Sequence, residues 1–170
     1  MKTYKHYGNT EFIPELFSTP INEEEPDIKP VYGTGFWASP LREDGETEWF
    51  HFVNNNSDVS DYKSLEKYFL FTLKETANIV TITEPKDFLQ IEKFILNEGR
   101  YKERAMNSIL RPEEVLIPAD IYLDFEAMCA SGIDALELDM SKNYGYLNYM
   151  LYGWDVSSIL IMNKDIIVPM

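Results

Sequence analysis

Apolar residues along this chain gather into six short runs of β character, with helical patterning concentrated between them. Thr3–Tyr7 is a short aromatic run, and Val31–Ala38 is rich in glycine and aromatics. Tyr68–Leu73 places three aromatics in six residues, and Asn78–Ile82 is β-branched and stops at a Glu84-Pro85 turn. Ile133–Leu138 alternates, and Ser158–Met162 is strongly apolar. Two longer stretches carry the helical period instead: Lys86–Leu96 through Phe88, Leu89, Ile91, Phe94 and Ile95, and Asp120–Ala130 through Ile121, Leu123, Phe125 and Met128. Asp61–Lys67 is a candidate for a shorter helix. Pro14, Pro20, Pro26, Pro30 and Pro40 exclude long helices and central strands from much of the first quarter. Ser18–Pro30, with Glu23, Glu24 and Glu25, reads as an exposed loop, and Asn54–Asp58 as a second. Strands at both ends with helices between them predict one α+β domain over residues 1–170 rather than a regular βαβ alternation.

Charge narrows the partners. Fifteen basic residues against 29 acidic ones give a net charge of −14, which repels phosphate backbones and suits basic partner surfaces. The opening residues Met1–His6 carry no apolar run of signal-peptide length, and no stretch approaches the roughly 20 apolar residues of a spanning helix. The expectation is a cytoplasmic protein with no membrane partner. With Cys129 as the single cysteine, neither an intramolecular disulfide nor a cysteine-based zinc site forms. Only His6 and His51 supply imidazoles, and neither a His-Glu-x-x-His motif nor a calcium loop occurs, so no metal is expected. Phosphate-binding glycine loops and the Gly-x-Ser-x-Gly elbow are likewise missing, and Cys129 sits near the apolar face of its expected helix, as a structural thiol does.

Two segments retain chemical interest. Tyr4-Lys5-His6-Tyr7-Gly8 ends an expected strand on an imidazole and a glycine. Gly33-Thr34-Gly35-Phe36-Trp37-Ala38-Ser39-Pro40 combines glycines that permit close backbone approach with two adjacent aromatics. If that segment is extended, the two rings take opposite faces, one in a core and one in a cleft.

In these segments the chain resembles the ADP-ribosyltransferase superfamily in its poly(ADP-ribose)-polymerase-like branch, whose compact phage and bacterial members are of this length. That family opens on a strand ending His-Gly-Ser, followed by a strand reading Gly-x-Gly-Ile-Tyr-Phe-Ala; here His6-Tyr7-Gly8 and Gly33–Ser39 stand in that order. Gly132–Leu136 and Asp155–Asn163 resemble its closing strands. The resemblance implies a split pair of small β-sheets, with helices around a cleft for NAD. It implies that His6 bonds ribose hydroxyls, that the Tyr7 main chain holds the nicotinamide carboxamide beside Gly8, and that Gly33, Thr34, Gly35, Trp37 and Ser39 line the cofactor site. Trp49, followed by Phe50, would stack on the cationic nicotinamide ring. The sequence departs from the family where its catalytic Glu stands: an ungapped match puts Ser158 there, and Asp155 is the nearest carboxylate. Asp155, with His6, is therefore the expected catalytic pair. The implied activity is cleavage of the nicotinamide glycosidic bond and transfer of ADP-ribose to a protein, a nucleic acid or water, as in a bacterial toxin or phage counter-defence protein. Two other readings stand beside it. One is a non-enzymatic acidic inhibitor that mimics a polyanion on a basic protein partner; the other is an inactive relative that binds NAD as a sensor.

Overall fold

The computed structural model describes residues 2–56 and 63–170. Its strands are β1 (Tyr4–Tyr7), β2 (Phe36–Pro40), β3 (Tyr68–Leu73), β4 (Ile79–Ile82), β5 (Ala135–Leu138), β6 (Ser158–Ile161) and β7 (Ile167–Pro169). Its α-helices are α1 (Glu48–Asn55), α2 (Gly99–Leu110), α3 (Phe125–Ala130) and α4 (Tyr144–Met150). The chain is thus α+β, with a sheet ordered β4-β5-β6-β2-β1-β3-β7. Every neighbouring pair is antiparallel except β4 with β5.

Strand β2 holds the sheet together by changing partners. Phe36, Trp37 and Ala38 pair with Ile161, Leu160 and Ile159 of β6. Ser39 and Pro40 pair with Lys5 and Tyr4 of β1. The two-residue period of the strands then builds a core on each face. Leu136, Leu138 and Leu160 join the helix side with Phe88, Phe125, Met128, Leu147 and Trp154. Tyr4, Phe69, Phe71, Ile159, Ile161 and Ile167 form the other core. The central strands β5 and β6 are buried along their whole length, which accounts for their continuous apolar runs.

The expected strands recur with shifted edges. The largest shift is in Val31–Ala38, where extended pairing begins only at Phe36. Gly33 and Gly35 have φ of 81° and 71°, outside strand geometry, and Thr34 N–H closes a turn on Val31 O at 3.0 Å. The expected helix over Lys86–Leu96 is instead a run of 3-10 turns, Pro85–Phe94, broken at Ile91 (φ −122°). Its apolar spacing still buries Phe88, Ile91 and Phe94, because 3-10 turns also bring residues three apart to one side. Of Asp120–Ala130 only Phe125–Ala130 is helical, since the Asp124 side chain caps it by accepting from Ala127 N. Ile121 and Leu123 run extended ahead of it, and Leu123 bridges to Ile95. Lys63–Glu66 forms a 3-10 turn within the expected Asp61–Lys67 helix, whose first two residues lie outside the described ones. Asn54 and Asn55 close α1, whereas residues 57 and 58 of the expected second loop are outside the description.

The segment Ser18–Pro30 lacks regular structure but is not a free loop. Pro20, Ile28 and Pro30 are buried. Asn22 Nδ2 donates to Asp124 Oδ1 at 2.8 Å, and Asn22 Oδ1 accepts from Phe125 N at 2.8 Å. Trp154 Nε1 donates to Ile28 O at 3.2 Å. The segment is therefore a strap that covers the helix-side core. Among the described residues no helix is long and apolar enough to cross a membrane.

Candidate functional site: the fork between β1 and β2

An antiparallel ladder bonds alternate residues of a strand to each neighbour. Leu41 N–H donates to Thr3 O at 2.9 Å, and Lys5 pairs with Ser39, so the odd residues of β1 turn their main-chain groups towards β2. The even residues face β3: His6 pairs with Phe69, and Gly8 N–H donates to Lys67 O at 2.8 Å. The next step of the β1–β2 ladder would join Tyr7 to Trp37, but pairing ends at Lys5 and Ser39. There the His6 imidazole enters the gap and Nδ1 donates to Trp37 O at 2.7 Å. Beyond that bond the strands diverge, as β2 turns to β6. The N–H and C=O of Tyr7 and the N–H of Trp37 consequently face a fork rather than a partner strand.

The fork opens on a hollow of about 210 Å³, bordered by His6, Glu11, Phe17, Gly35, Phe36 and Phe69. Its wall is aromatic. The His6 ring stacks on Phe36 with centroids 4.2 Å apart, and Phe12 meets Phe36 edge-on at 5.7 Å. Burial pushes the His6 pKa below its ordinary value, against the opposing pull of the Trp37 carbonyl. The neutral ring donates through Nδ1, because a carbonyl only accepts, and this leaves Nε2 as an acceptor. Tyr7 is not in the hollow's described lining, so its main chain stands beside the hollow at the end of the ladder; the acceptor from His6 and the aromatic walls suit a planar ring next to a hydroxyl.

The remaining expected site residues divide between this hollow and other places. Gly8 follows at the end of β1 with φ 115°. The Tyr7 side chain takes the opposite face, where its hydroxyl shares a 2.8 Å hydrogen bond with Thr47 Oγ1 and Lys5 Nζ lies 5.4 Å from the ring centroid. Gly33 and Thr34 shape the turn into β2; Thr34 Oγ1 donates to Val31 O at 2.8 Å and accepts from Ile21 N at 3.2 Å. A Cβ on Gly35 would overlap Leu160 Cδ1 and lie 3.2 Å from Pro20 Cγ, so packing as well as its φ requires glycine there. Trp37 and Phe36 both border the hollow; the Trp37 indole also packs against the helix-side core, edge-on to Trp154 at 4.5 Å, whereas the Phe36 ring stacks on His6. Ser39 is buried in the ladder opposite Lys5.

Trp49 and Asp155 are not in the hollow's described lining. Trp49 lies in the first turn of α1 and stacks on Phe52 at 5.7 Å. Asp155 is half-buried in the turn ahead of β6. The carboxylate that does engage the start of that strand is Glu48, whose Oε2 accepts from Ser157 N at 2.9 Å. Ser158 is buried in β6, paired with Leu138. Asp134, in the Gly132–Leu136 segment, joins strand ends by accepting from Asn78 N and Asn163 Nδ2, each at 2.8 Å. Burial raises the Cys129 thiol pKa, disfavouring the thiolate. Among the described residues no group of three or more His, Cys, Asp or Glu could hold a metal.

Reading the sequence overlooked Glu11, Phe17 and Phe69 as neighbours of His6. Phe69 had a signal, since it alternates with Phe71 on a buried strand; Glu11 and Phe17 lie in an irregular segment with no period to follow. No protein-family model, curated protein or solved structure matches the chain.

Proposed function

We propose that the fork between β1 and β2 receives the nicotinamide end of NAD⁺ and that the chain is an ADP-ribosyltransferase-type domain. The observation that carries this reading is the interrupted ladder. It leaves the Tyr7 N–H and C=O side by side, beside a neutral His6, where a carboxamide needs one donor and one acceptor. A sheet whose two parts are joined through β2 is in keeping with the split pair of small sheets that the resemblance implies. At about 210 Å³ the hollow suits one ring with part of its ribose, so the adenosine half would lie outside it.

In the proposed reaction the bond between the nicotinamide nitrogen and the ribose anomeric carbon breaks. Nicotinamide leaves with the bonding electrons, and an acceptor nucleophile or water takes the ADP-ribose. His6 Nε2 accepts from a ribose hydroxyl. A carboxylate close to the developing positive charge stabilises it. Glu11 borders the hollow, whereas Asp155 would have to approach from the turn before β6. Trp49 would reach the ring only if α1 closed over the fork.

Incubation with NAD⁺ and quantification of released nicotinamide tests the reading. Release should occur with the native chain and be lost in His6→Ala, with the fold retained by circular dichroism. Normal release by His6→Ala overturns the assignment. Comparing Glu11→Gln with Asp155→Asn then identifies the assisting carboxylate. Glu23, Glu24 and Glu25 are exposed and form no ion pair among the described residues, which favours the acidic-inhibitor reading as the second choice. That reading predicts steeply salt-dependent binding to a basic protein, unaffected by His6→Ala.

A further inference from the structure

The border of the hollow carries two polar side chains that the fold itself does not use, Asn9 and Glu11. Gly8 sets their position. Its N–H is held by Lys67 O at 2.8 Å, and its φ of 115° turns the chain out of β1, a conformation that suits glycine. Asn9 follows at once, half-buried on the border, and its side-chain amide makes no hydrogen bond among the described residues. Glu11, two residues further on, is exposed and has neither a hydrogen bond nor an ion pair among the described residues. Apart from these two and the neutral His6, the described lining is apolar or glycine, and it contains no Lys or Arg. Lys67, whose carbonyl holds Gly8, has an exposed side chain outside that lining.

These groups distinguish between planar ligands of one size. A ring carboxamide offers two N–H donors and two oxygen lone pairs. The Tyr7 main chain, with one N–H and one C=O, engages only one of each. Asn9 is the group on the border that complements the rest: Oδ1 accepts from the second N–H, and Nδ2 donates to the oxygen. A carboxylate in the same place only accepts. It would leave Asn9 Oδ1 facing another oxygen, and would bring a negative charge towards Glu11 in a chain of net charge −14. With no cation in the described lining to offset that charge, the anion is rejected by repulsion as well as by a missing hydrogen bond.

We propose that Asn9 is the specificity-determining residue of the hollow: its amide reads a ring carboxamide, and together with Glu11 it admits pyridine carboxamides and rejects pyridine carboxylates. This inference rests on the NAD reading and names the substrate class of the same site. Its test is ligand-observed NMR titration of the full chain with nicotinamide, nicotinate and β-picoline, the same ring carrying a methyl group in place of the carboxamide. Each ligand is titrated into the native chain, Asn9→Leu and Glu11→Gln, and unchanged melting curves confirm that both variants fold. The native chain should bind nicotinamide roughly tenfold more tightly than nicotinate. Asn9→Leu should weaken nicotinamide by a similar factor without weakening β-picoline, which separates a lost hydrogen bond from a damaged site. Glu11→Gln should tighten nicotinate binding. Equal nicotinamide affinity of the native chain and Asn9→Leu, equal loss of nicotinamide and β-picoline, equal native affinity for nicotinamide and nicotinate, or nicotinate binding unmoved by Glu11→Gln overturns the proposal and leaves the NAD reading standing. Absence of nicotinamide binding by the native chain overturns the proposal, and absence of nicotinamide release from NAD⁺ as well overturns the NAD reading with it.

Discussion

The two edges of β2 differ in how far their pairing runs. Towards β6 the edge is closed: three residues pair in register, and Leu160 occupies the space where a side chain on Gly35 would go. Towards β1 the same strand pairs only at Ser39 and Pro40, and then opens. The difference lies in what fills the interstrand space. An aliphatic side chain on the β6 side permits continuous pairing, whereas the His6 imidazole bonds Trp37 O and stands where the ladder would continue. Here the ladder stops beside a hollow with aromatic walls.

The closed edge should be the more sensitive one. Gly35→Ala combines positive φ with overlap onto Leu160 and is expected to lower stability by about 3 kcal/mol, measured by urea unfolding. Gly33→Ala has the same sign of φ but open space around it, and should cost only about 1 kcal/mol. Equal losses at the two positions would mean that the contact with Leu160 is not what closes this edge.

Next in size is Thr47→Ala, which acts behind the fork. Thr47 caps α1 by accepting from Phe50 N at 3.1 Å and also bonds the Tyr7 hydroxyl. Its loss should destabilise the protein by about 1–2 kcal/mol. If the fork receives NAD⁺ as proposed, freeing the Tyr7 ring should also lower NAD⁺ affinity; weaker stability with unchanged affinity would separate the cap from the fork.

The smallest effect concerns pH. His6 has a lowered pKa in the folded chain, so the unfolded chain takes up the proton first as pH falls. His6 thus costs no stability well above its unfolded pKa of about 6.5, and destabilises progressively as pH drops from there towards the folded value. Between pH 7.5 and 5.5 the native chain should lose more stability than His6→Gln, measured by urea unfolding at both values. Parallel losses would place a charged His6 in the fork without penalty, contrary to its half-buried, Nδ1-donating state.

Local chemistry made much of the fold legible from sequence. The Tyr68–Leu73 strand occurs with its expected bounds, because alternation and aromatic content are properties of the segment itself. His6 and Gly35, which border the hollow, stood out in the sequence for a similar reason, since an imidazole at a strand end and glycines before a strand are local signals. Helices α1, α2 and α4 and strand β7 were missed. The buried residues Ala105, Ser108 and Ile109 give α2 too narrow an apolar stripe, and the exposed tyrosines of α4 blur its period.

On its own, then, the sequence determined six of the seven strand-forming segments, the α+β class and the residues available for chemistry, because these depend on side chains a few positions apart. Tertiary structure alone decided that β2 changes partners, that Phe36 rather than Trp37 stacks on His6, and that Glu11 borders the hollow while Trp49 and Asp155 are not in its described lining. Those outcomes depend on the register between strands distant along the chain. Register is set by how all the buried faces pack at once, and no short stretch of residues encodes it.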